Sequence, residues 1–330
     1  MIWVEFIIYS AVIVFSAIKL AEYGDVIAIR TKLGGMLIGI ILMAGATSLP
    51  ELLTTINSIS QGVPNLAAGN MFGSNMFNMF ILGSMSLLNI RTRILRQVAR
   101  RHALTGSITI LMICLAIFFV ISDLDIKIGW VGLDSLILIV MYIGGLIIIQ
   151  SDSPPAHEDT DPKEISYEEV PSLFTGVFGF ALSTALLVMI MPAMVSVSAD
   201  IAKITGLGTG FIGTALVAIV TSLPELVTTI AAVRMGIYDM AVGNLFGSNM
   251  FNMFSLGVSD VLLTKGLFMS VISDDFVLVG MIGLIMTALG LIGNLAKLER
   301  KLLIFEIDAL FLIITYFLGM YLIYMRGIAI

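Results

Sequence analysis

The sequence predicts an all-α membrane protein in which ten transmembrane helices form two inverted five-helix repeats, with helices 2 and 7 broken at an ion site. Three observations predict it: an apolar composition, ten apolar runs, and one long motif that occurs twice. The chain has 330 residues, 58% of them hydrophobic and 12% charged, with a mean hydropathy of +1.07. Soluble domains carry about 25% charged residues. That contrast excludes an ordinary cytosolic enzyme, a nucleic-acid binder and a disordered chain. A single cysteine, Cys114, excludes an intrachain disulfide, a cysteine zinc site and cysteine-ligated iron–sulfur chemistry. His102 and His157 lie in polar stretches far apart, so histidine–metal catalysis has little basis. No catalytic residue and no cofactor is expected.

The apolar runs are 2–21, 33–61, 65–89, 103–121, 129–149, 171–199, 207–233, 239–263, 275–295 and 304–325. Each approaches or exceeds the length of about 20 residues that a spanning helix needs. The first lacks a basic leading region and a small-residue cleavage site, and so reads as a retained helix. The longest break, QSDSPPAHEDTDPKEISYEEV at 150–170, collects seven acids and divides the chain into 1–149 and 171–330. It reads as a solvated tether, in preference to a regulatory cation site.

Basic residues test the count. With alternating spans, one side receives twelve: Arg30, Lys32, Arg91, Arg93, Arg96, Arg100, Arg101, Lys163, Arg234, Lys297, Arg300 and Lys301. The other receives four, Lys127, Lys203, Lys265 and Arg326, while Lys19 ends the first span. The richer side is expected to be cytoplasmic, with the acidic tether there and both termini outside, and the cell membrane is the expected location. Arg91 to Arg101 reads as a topology signal before it reads as a lipid-binding patch.

Residues 47–83, TSLPELLTTINSISQGVPNLAAGNMFGSNMFNMFILG, align without gaps with 221–257, TSLPELVTTIAAVRMGIYDMAVGNLFGSNMFNMFSLG, and share 24 of 37 positions. The two ion motifs, taken as 44–83 and 218–257, lie five spans apart. An odd number of crossings turns the second copy upside down. Inverted repeats that meet at the midplane suggest alternating access.

Pro50 and Pro224 lack an N–H and clash with the carbonyls of Ala46 and Val220. The helix is therefore expected to break, releasing carbonyls from Ala44 to Thr47 and from Ala218 to Thr221. Such carbonyls need protein, water or an ion as partner. Glu51 and Glu225 follow at once, with no Lys or Arg nearby in sequence. A buried acid needs a partner, here a proton or a metal ion. Ser48-x-x-Glu51 and Ser222-x-x-Glu225 also fit a capping box. Because a single backbone N–H is poor compensation at membrane depth, ion binding is the main expectation and capping a secondary role.

Asn70, Ser74 and Asn78 line one helical face, repeated by Asn244, Ser248 and Asn252. Gly69 and Gly73, with Gly243 and Gly247, have the spacing that lets helices approach closely. Interhelical glue without an ion is the plain reading; a cavity shared with the glutamates is the favoured one. Met71, Met76, Met79, Met250 and Met253 read as packing. The donors are all oxygen, which suits Ca2+ or Na+ and not Zn2+ or Cu+. Two carboxylates balance one Ca2+ or two monovalent ions.

The two signatures, around Thr-Ser-Leu-Pro-Glu and Gly-Asn-x-Phe-Gly-Ser-Asn, closely resemble those of the sodium/calcium exchanger family of the Ca2+/cation antiporter superfamily, in its prokaryotic form without a large regulatory loop. Two departures touch the first signature. Gly45 is matched by Ile219, and Gly39 and Gly213 precede the breaks at a shifted spacing. The resemblance implies four cation sites between helices 2, 3, 7 and 8. It places Ca2+ on Glu51 and Glu225 with the carbonyls of Thr47 and Thr221. It places Na+ on Ser48, Ser74, Ser222 and Ser248 with the carbonyls of Ala44 and Ala218, and sets Asn78 and Asn252 at the middle. Asn252, where potassium-dependent members have aspartate, implies potassium independence. Electrogenic exchange of three Na+ for one Ca2+ and a sliding gate of helices 1 and 6 are likewise implied, the long run 171–199 being free to tilt.

The implied partners are Ca2+, Na+ and the lipid bilayer, with no nucleic acid. The site is complete in one chain, so a monomer is expected to function. The chief alternative is a Ca2+/H+ antiporter of the same superfamily, since two glutamates can release Ca2+ by taking up protons. A cation channel suits carboxylate rings, but not an inverted repeat. An intramembrane protease would need the paired acids to share a proton without a metal.

Overall fold

The computed structural model describes residues 2–88, 102–152, 170–204, 219–263, 267–295, 301–302 and 305–327. The acidic tether, apart from its two ends, and the Arg91–Arg101 cluster lie outside these residues, as does Ala218.

The described chain is almost wholly helical. In the first half, α1 is Ile2–Thr31, followed by α2 (Gly34–Leu37), a π-helical turn Ile38–Met43, α3 (Ala44–Thr47), α4 (Leu49–Ser60) and α5 (Pro64–Leu88). Then come α6 (Ala103–Ser122), a small hairpin of β1 (Lys127–Ile128) and β2 (Val131–Gly132), and α7 (Leu133–Asp152). The second half holds α8 (Leu173–Ile204), α9 (Leu223–Arg234), α10 (Tyr238–Leu262), α11 (Phe268–Val271) and α12 (Asp275–Leu295). It closes with a hairpin of β3 (Lys301–Leu302) and β4 (Phe305–Glu306), and α13 (Ile307–Arg326).

Eight helical stretches among the described residues are long and apolar enough to cross a membrane. The two further spans expected from the sequence have separate explanations. Run 207–233 is described only from residue 219. Run 239–263 appears as α10, which at 25 residues is long enough but polar, burying Asn244, Asn249, Asn252 and Asp260 among its neighbours. Boundaries shift most in α1, expected to end at residue 21 and observed to reach Thr31. The charged residues there stay compatible with a helix; Lys19 Nζ and Glu22 Oε2 pair one turn apart at 2.6 Å.

The offset of 174 seen in the motif governs element boundaries far beyond it. Leu49–Ser60 recurs as Leu223–Arg234 and Pro64–Leu88 as Tyr238–Leu262. The hairpins at 127–132 and 301–306 keep the same offset, as do Leu133–Asp152 and Ile307–Arg326. Outside 47–83 side-chain identity is sparser, with α7 and α13 sharing 7 of 20 positions, among them Asp134 with Asp308, Tyr142 with Tyr316 and Gly145 with Gly319.

α1 and α8 pack along one another at the side of the bundle. They contain 30 and 32 residues, about 45 and 48 Å of helix at a 1.5 Å rise. Both exceed the roughly 30 Å hydrocarbon thickness, so both must tilt or project. The Arg30 guanidinium fastens their ends, donating to the carbonyls of Val170 and Pro171. α5 and α10 form the interior: 18 of 25 and 19 of 25 residues are buried, so they are the elements shielded from lipid. Met71, Met76, Met79, Met250 and Met253 lie fully inside this core, as packing requires.

Candidate cation site

The site begins with Pro50. It stands in the first turn of α4, where its missing N–H leaves no intrahelical bond unmade. Ser48 just before it has φ −90° and ψ 2°, and the helical ladder lapses there; Ser222 before Pro224 repeats this with φ −91° and ψ 11°. The Ala46 carbonyl receives no donor from Pro50. Ala44 differs from expectation: its carbonyl accepts the Ser48 N–H at 3.0 Å, because the interruption starts one residue too late to free it.

The expected capping box is absent in both copies. Neither Ser48 nor Ser222 makes a side-chain cap bond. Each hydroxyl is turned across the bundle: Ser48 Oγ donates to Glu225 Oε1 at 3.0 Å, and Ser222 Oγ donates to Glu51 Oε1 at 3.2 Å. A carboxyl oxygen facing the helix start of the other copy gives each serine hydroxyl an acceptor, which a capping backbone N–H, itself a donor, does not.

Further bonds follow the same exchange. Thr47 Oγ1 donates to Asn244 Oδ1 and Thr221 Oγ1 to Asn70 Oδ1, each at 3.3 Å. Asn78 Nδ2 donates to Asn249 Oδ1 at 2.9 Å, and Asn252 Nδ2 to Asn75 Oδ1 at 3.0 Å. Every such pair maps onto its mate by the 174 offset, as contacts across a two-fold axis do. Thr54 and Thr228 complete the local pattern, their hydroxyls bonding the carbonyls of Pro50 and Pro224 at 2.9 and 2.7 Å.

Glu51 and Glu225 are each 1% exposed, and neither has an ion-pair partner among the described residues. Their second oxygens, Glu51 Oε2 and Glu225 Oε2, accept no hydrogen bond. Asn78 Oδ1, Asn252 Oδ1 and Ser248 Oγ are unpartnered as well. Buried oxygens left empty in this way cost about 1–3 kcal/mol each, more when charged. Their chemistry is that of ligands for a hard cation, which takes carboxylate, amide and hydroxyl oxygen together. No group of three or more His, Cys, Asp or Glu occurs among the described residues, so the donors are two acids among neutral oxygens.

The structure therefore brings Thr47, Ser48, Ser74, Asn78, Thr221, Ser222, Glu225, Glu51, Ser248 and Asn252 onto the facing elements α3, α4, α5, α9 and α10 and the residues joining them. Ser74 Oγ lies 3.1 Å from Ser222 Oγ. Sequence reasoning missed Asn75 and Asn249, the amides that orient Asn252 and Asn78. Both stand inside the duplicated Gly-Ser-Asn segment, but on a different helical face from the residues singled out.

Close approach is built by glycine. A Cβ at Gly39 would lie 2.5 Å from the Met240 carbonyl oxygen, and one at Gly247 would lie 2.8 Å from Ile40 Cα and from Ala44 Cβ. The π-helical turn and α3 thus press directly on α10, beside the donors.

These features define a polytopic membrane protein with a buried cluster of unpartnered oxygens beside two interrupted helices. The profile of the family described as sodium/calcium exchanger protein matches residues 1–150 and 175–328, and the chain belongs to that family, one of exchangers and not of enzymes. Sodium/calcium exchanger MaX1 of Methanosarcina acetivorans is 27% identical over 299 residues, covering 78% of this chain and 83% of that protein. Inner membrane protein YrbG of Escherichia coli is 26% identical over 262 residues, 77% of each chain. Among solved structures, the sodium-calcium exchanger NCX_Mj soaked with Na+ and Sr2+ superposes with a TM-score of 0.70 at 20% identity, over 97% of this chain and 99% of that one, a likeness of fold.

Proposed function

We propose that the protein is an antiporter that exchanges Na+ for Ca2+ by alternating access, and that ten spans in two inverted repeats, 1–149 and 171–330, build it. One observation carries the reading: the oxygens Glu51 Oε2, Glu225 Oε2, Asn78 Oδ1 and Asn252 Oδ1, two symmetric pairs, are buried and unpartnered, and among the described residues no basic side chain pairs with either glutamate. The family membership supports the identity of the ions.

In this mechanism Ca2+ is cargo, held by Glu51 and Glu225 and by the carbonyls of Thr47 and Thr221. Na+ takes Ser48, Ser74, Ser222 and Ser248, with the carbonyl of Ala218 and that of Ala44, which would ligate through the lone pair that the Ser48 N–H leaves open. Asn78 and Asn252 complete the centre. One Ca2+ neutralises the two acids, whereas three Na+ leave one positive charge, so three-for-one exchange is electrogenic. Asn252 supplies no charge for K+, which makes transport potassium-independent. The serine–glutamate bridges couple the ions: a cation entering at either serine must compete with its hydroxyl for a carboxylate oxygen. The acidic tether faces the cytoplasm, both termini lie outside, the cell membrane houses the protein, and one chain suffices.

The test is 45Ca2+ uptake into proteoliposomes loaded with Na+, K+ or choline at clamped pH. Uptake driven by outward Na+, sensitive to membrane potential, and lost in Glu51→Gln and Glu225→Gln is expected. Uptake that follows a pH gradient and ignores Na+ would assign protons as the counter-ion. No gradient-driven uptake would overturn exchange altogether.

A further inference from the structure

Away from the central cluster, α7 begins and α10 ends around a second pair of buried acids, Asp134 and Asp260, 1% and 0% exposed. Asp260 is fully engaged. Its Oδ2 accepts the Gly132 N–H and its Oδ1 the Phe268 N–H, both at 2.5 Å, so it joins the first hairpin to the segment after α10. Two backbone amides thus hold its carboxyl group in place.

Asp134 is not engaged in this way. Its Oδ1 accepts the adjacent Ser135 N–H at 2.7 Å, while its Oδ2 has no partner. The Ser135 hydroxyl, fully buried beside it, has none either. Gly132 brings the acids together: a Cβ there would run into Asp134 Oδ1 and lie 3.2 Å from Asp260 Oδ2. The Ser135 carbonyl in turn lies 2.8 Å from the Cβ position of Gly257, one turn before Asp260. Among the described residues no Lys, Arg or His pairs with either acid.

Two buried negative charges without a counter-charge require a proton or a cation. A proton on Asp134 answers this need for one carboxyl group alone, whereas a shared cation answers it for both acids and for the Ser135 hydroxyl at once. Oxygens that share a cation at about 2.4 Å need not bond one another, and can stay unpartnered within the protein. The arrangement also breaks the repeat. Asp134 corresponds to Asp308 at the 174 offset, but the mate of Asp260 is Ser86 and that of Gly132 is Glu306, so the Asp134–Asp260 pairing is not repeated in the second half.

We propose that Asp134, Ser135 and Asp260 form a second cation site for a hard divalent ion such as Ca2+, at one end of the bundle and separate from the central cluster. The site does not depend on the transport reading. Its ion holds the first hairpin against the ends of α7 and α10, adding to what the Asp260 amide bonds do alone.

The experiment uses the purified full chain carrying Glu51→Gln and Glu225→Gln, with Tb3+ as an oxygen-seeking stand-in for Ca2+. Trp130 Nε1 donates to the Val261 carbonyl at 3.1 Å, next to Asp260, so its indole can sensitise Tb3+ there. Saturable luminescence, displaced by Ca2+ and largely lost in Trp130→Phe, is expected. Asp134→Asn should weaken Tb3+ binding at least tenfold, whereas Asp308→Asn should leave it unchanged. No saturable signal, or a signal indifferent to Asp134→Asn, overturns the proposal. Should Asp134→Asn fail to fold, Ser135→Ala decides: a loss of several-fold in Tb3+ affinity supports the site, and an unchanged affinity overturns it.

Discussion

In the first copy of the repeat, Asn70 Nδ2 reaches the Glu51 carbonyl at 3.2 Å; in the second, Asn244 Nδ2 reaches the hydroxyls of Thr228 and Thr229 at 3.1 and 3.4 Å. Ser222 Oγ touches both a glutamate and Ser74, whereas Ser248, the mate of Ser74, has no partner. Yet the serine–glutamate bridges match to 0.2 Å and the threonine–asparagine bridges coincide. The copies therefore agree at the serine–glutamate, threonine–asparagine and asparagine–asparagine bridges, and differ in how each half braces its broken helix and in two contacts between halves that have no mate, Ser222 with Ser74 and Asn249 with the Asn75 carbonyl. Symmetry is tightest at the paired bridges.

The sharpest break of that comparison is charge removal. Glu51→Gln and Glu225→Gln should each lower Na+-driven 45Ca2+ uptake by about a hundredfold or more, as expected when a buried charge loses its partner at about 3–5 kcal/mol. A tenfold difference between the two variants would show that one copy dominates. Ser48→Ala and Ser222→Ala come next, each deleting a bond to a charged acceptor worth about 1.5–3 kcal/mol. Roughly tenfold weaker Na+ activation is expected in both, measured from the Na+ dependence of uptake. A larger loss in Ser222→Ala would assign weight to its extra contact with Ser74.

Glycines sharpen the comparison further. Gly247→Ala should lower thermal stability by about 1–3 kcal/mol through overpacking against Ile40 and Ala44, read as a fall in Tm. Gly45→Ala is the contrast, because a Cβ there meets nothing within 4 Å. It should leave Tm unchanged or raised, Ala being favoured over Gly in a helix by about 1 kcal/mol. The smallest effect belongs to Asn70→Ala against Asn244→Ala. Each loses its brace together with its threonine bridge to the other half, and because the bridges match, the difference between the two variants in a thermal scan reads the two kinds of brace, at about 1 kcal/mol or less.

Much of this was legible in the sequence because its periodicity and its acids were unusual for their surroundings. Pro50 and Pro224 located the interruptions, and Glu51 and Glu225 stood out as acids in apolar runs; both are buried with one oxygen unpartnered. The serines were legible as site residues, but not their direction: a capping box and a cross-bundle bridge use the same Ser-x-x-Glu spacing. Asn75 and Asn249 were missed because helical-face arithmetic finds residues that share a face, not those that reach across to orient another side chain. The hairpins at 127–132 and 301–306 escaped for a different reason. Their likeness lies in backbone position at a constant offset, and the residues filling them differ.

The serine–glutamate bridges also carry a consequence for how the chain is made. Glu51 leaves the ribosome 171 residues before Ser222, the hydroxyl that will receive it. At about 5–20 residues per second, that is roughly 9–34 s during which the first carboxylate enters the bilayer without its mate. Insertion of the first half must therefore tolerate an unmatched acid, through water drawn in beside it or a proton carried on it. The fusion of the two halves into one chain ensures that the waiting time is short and that the mate always arrives.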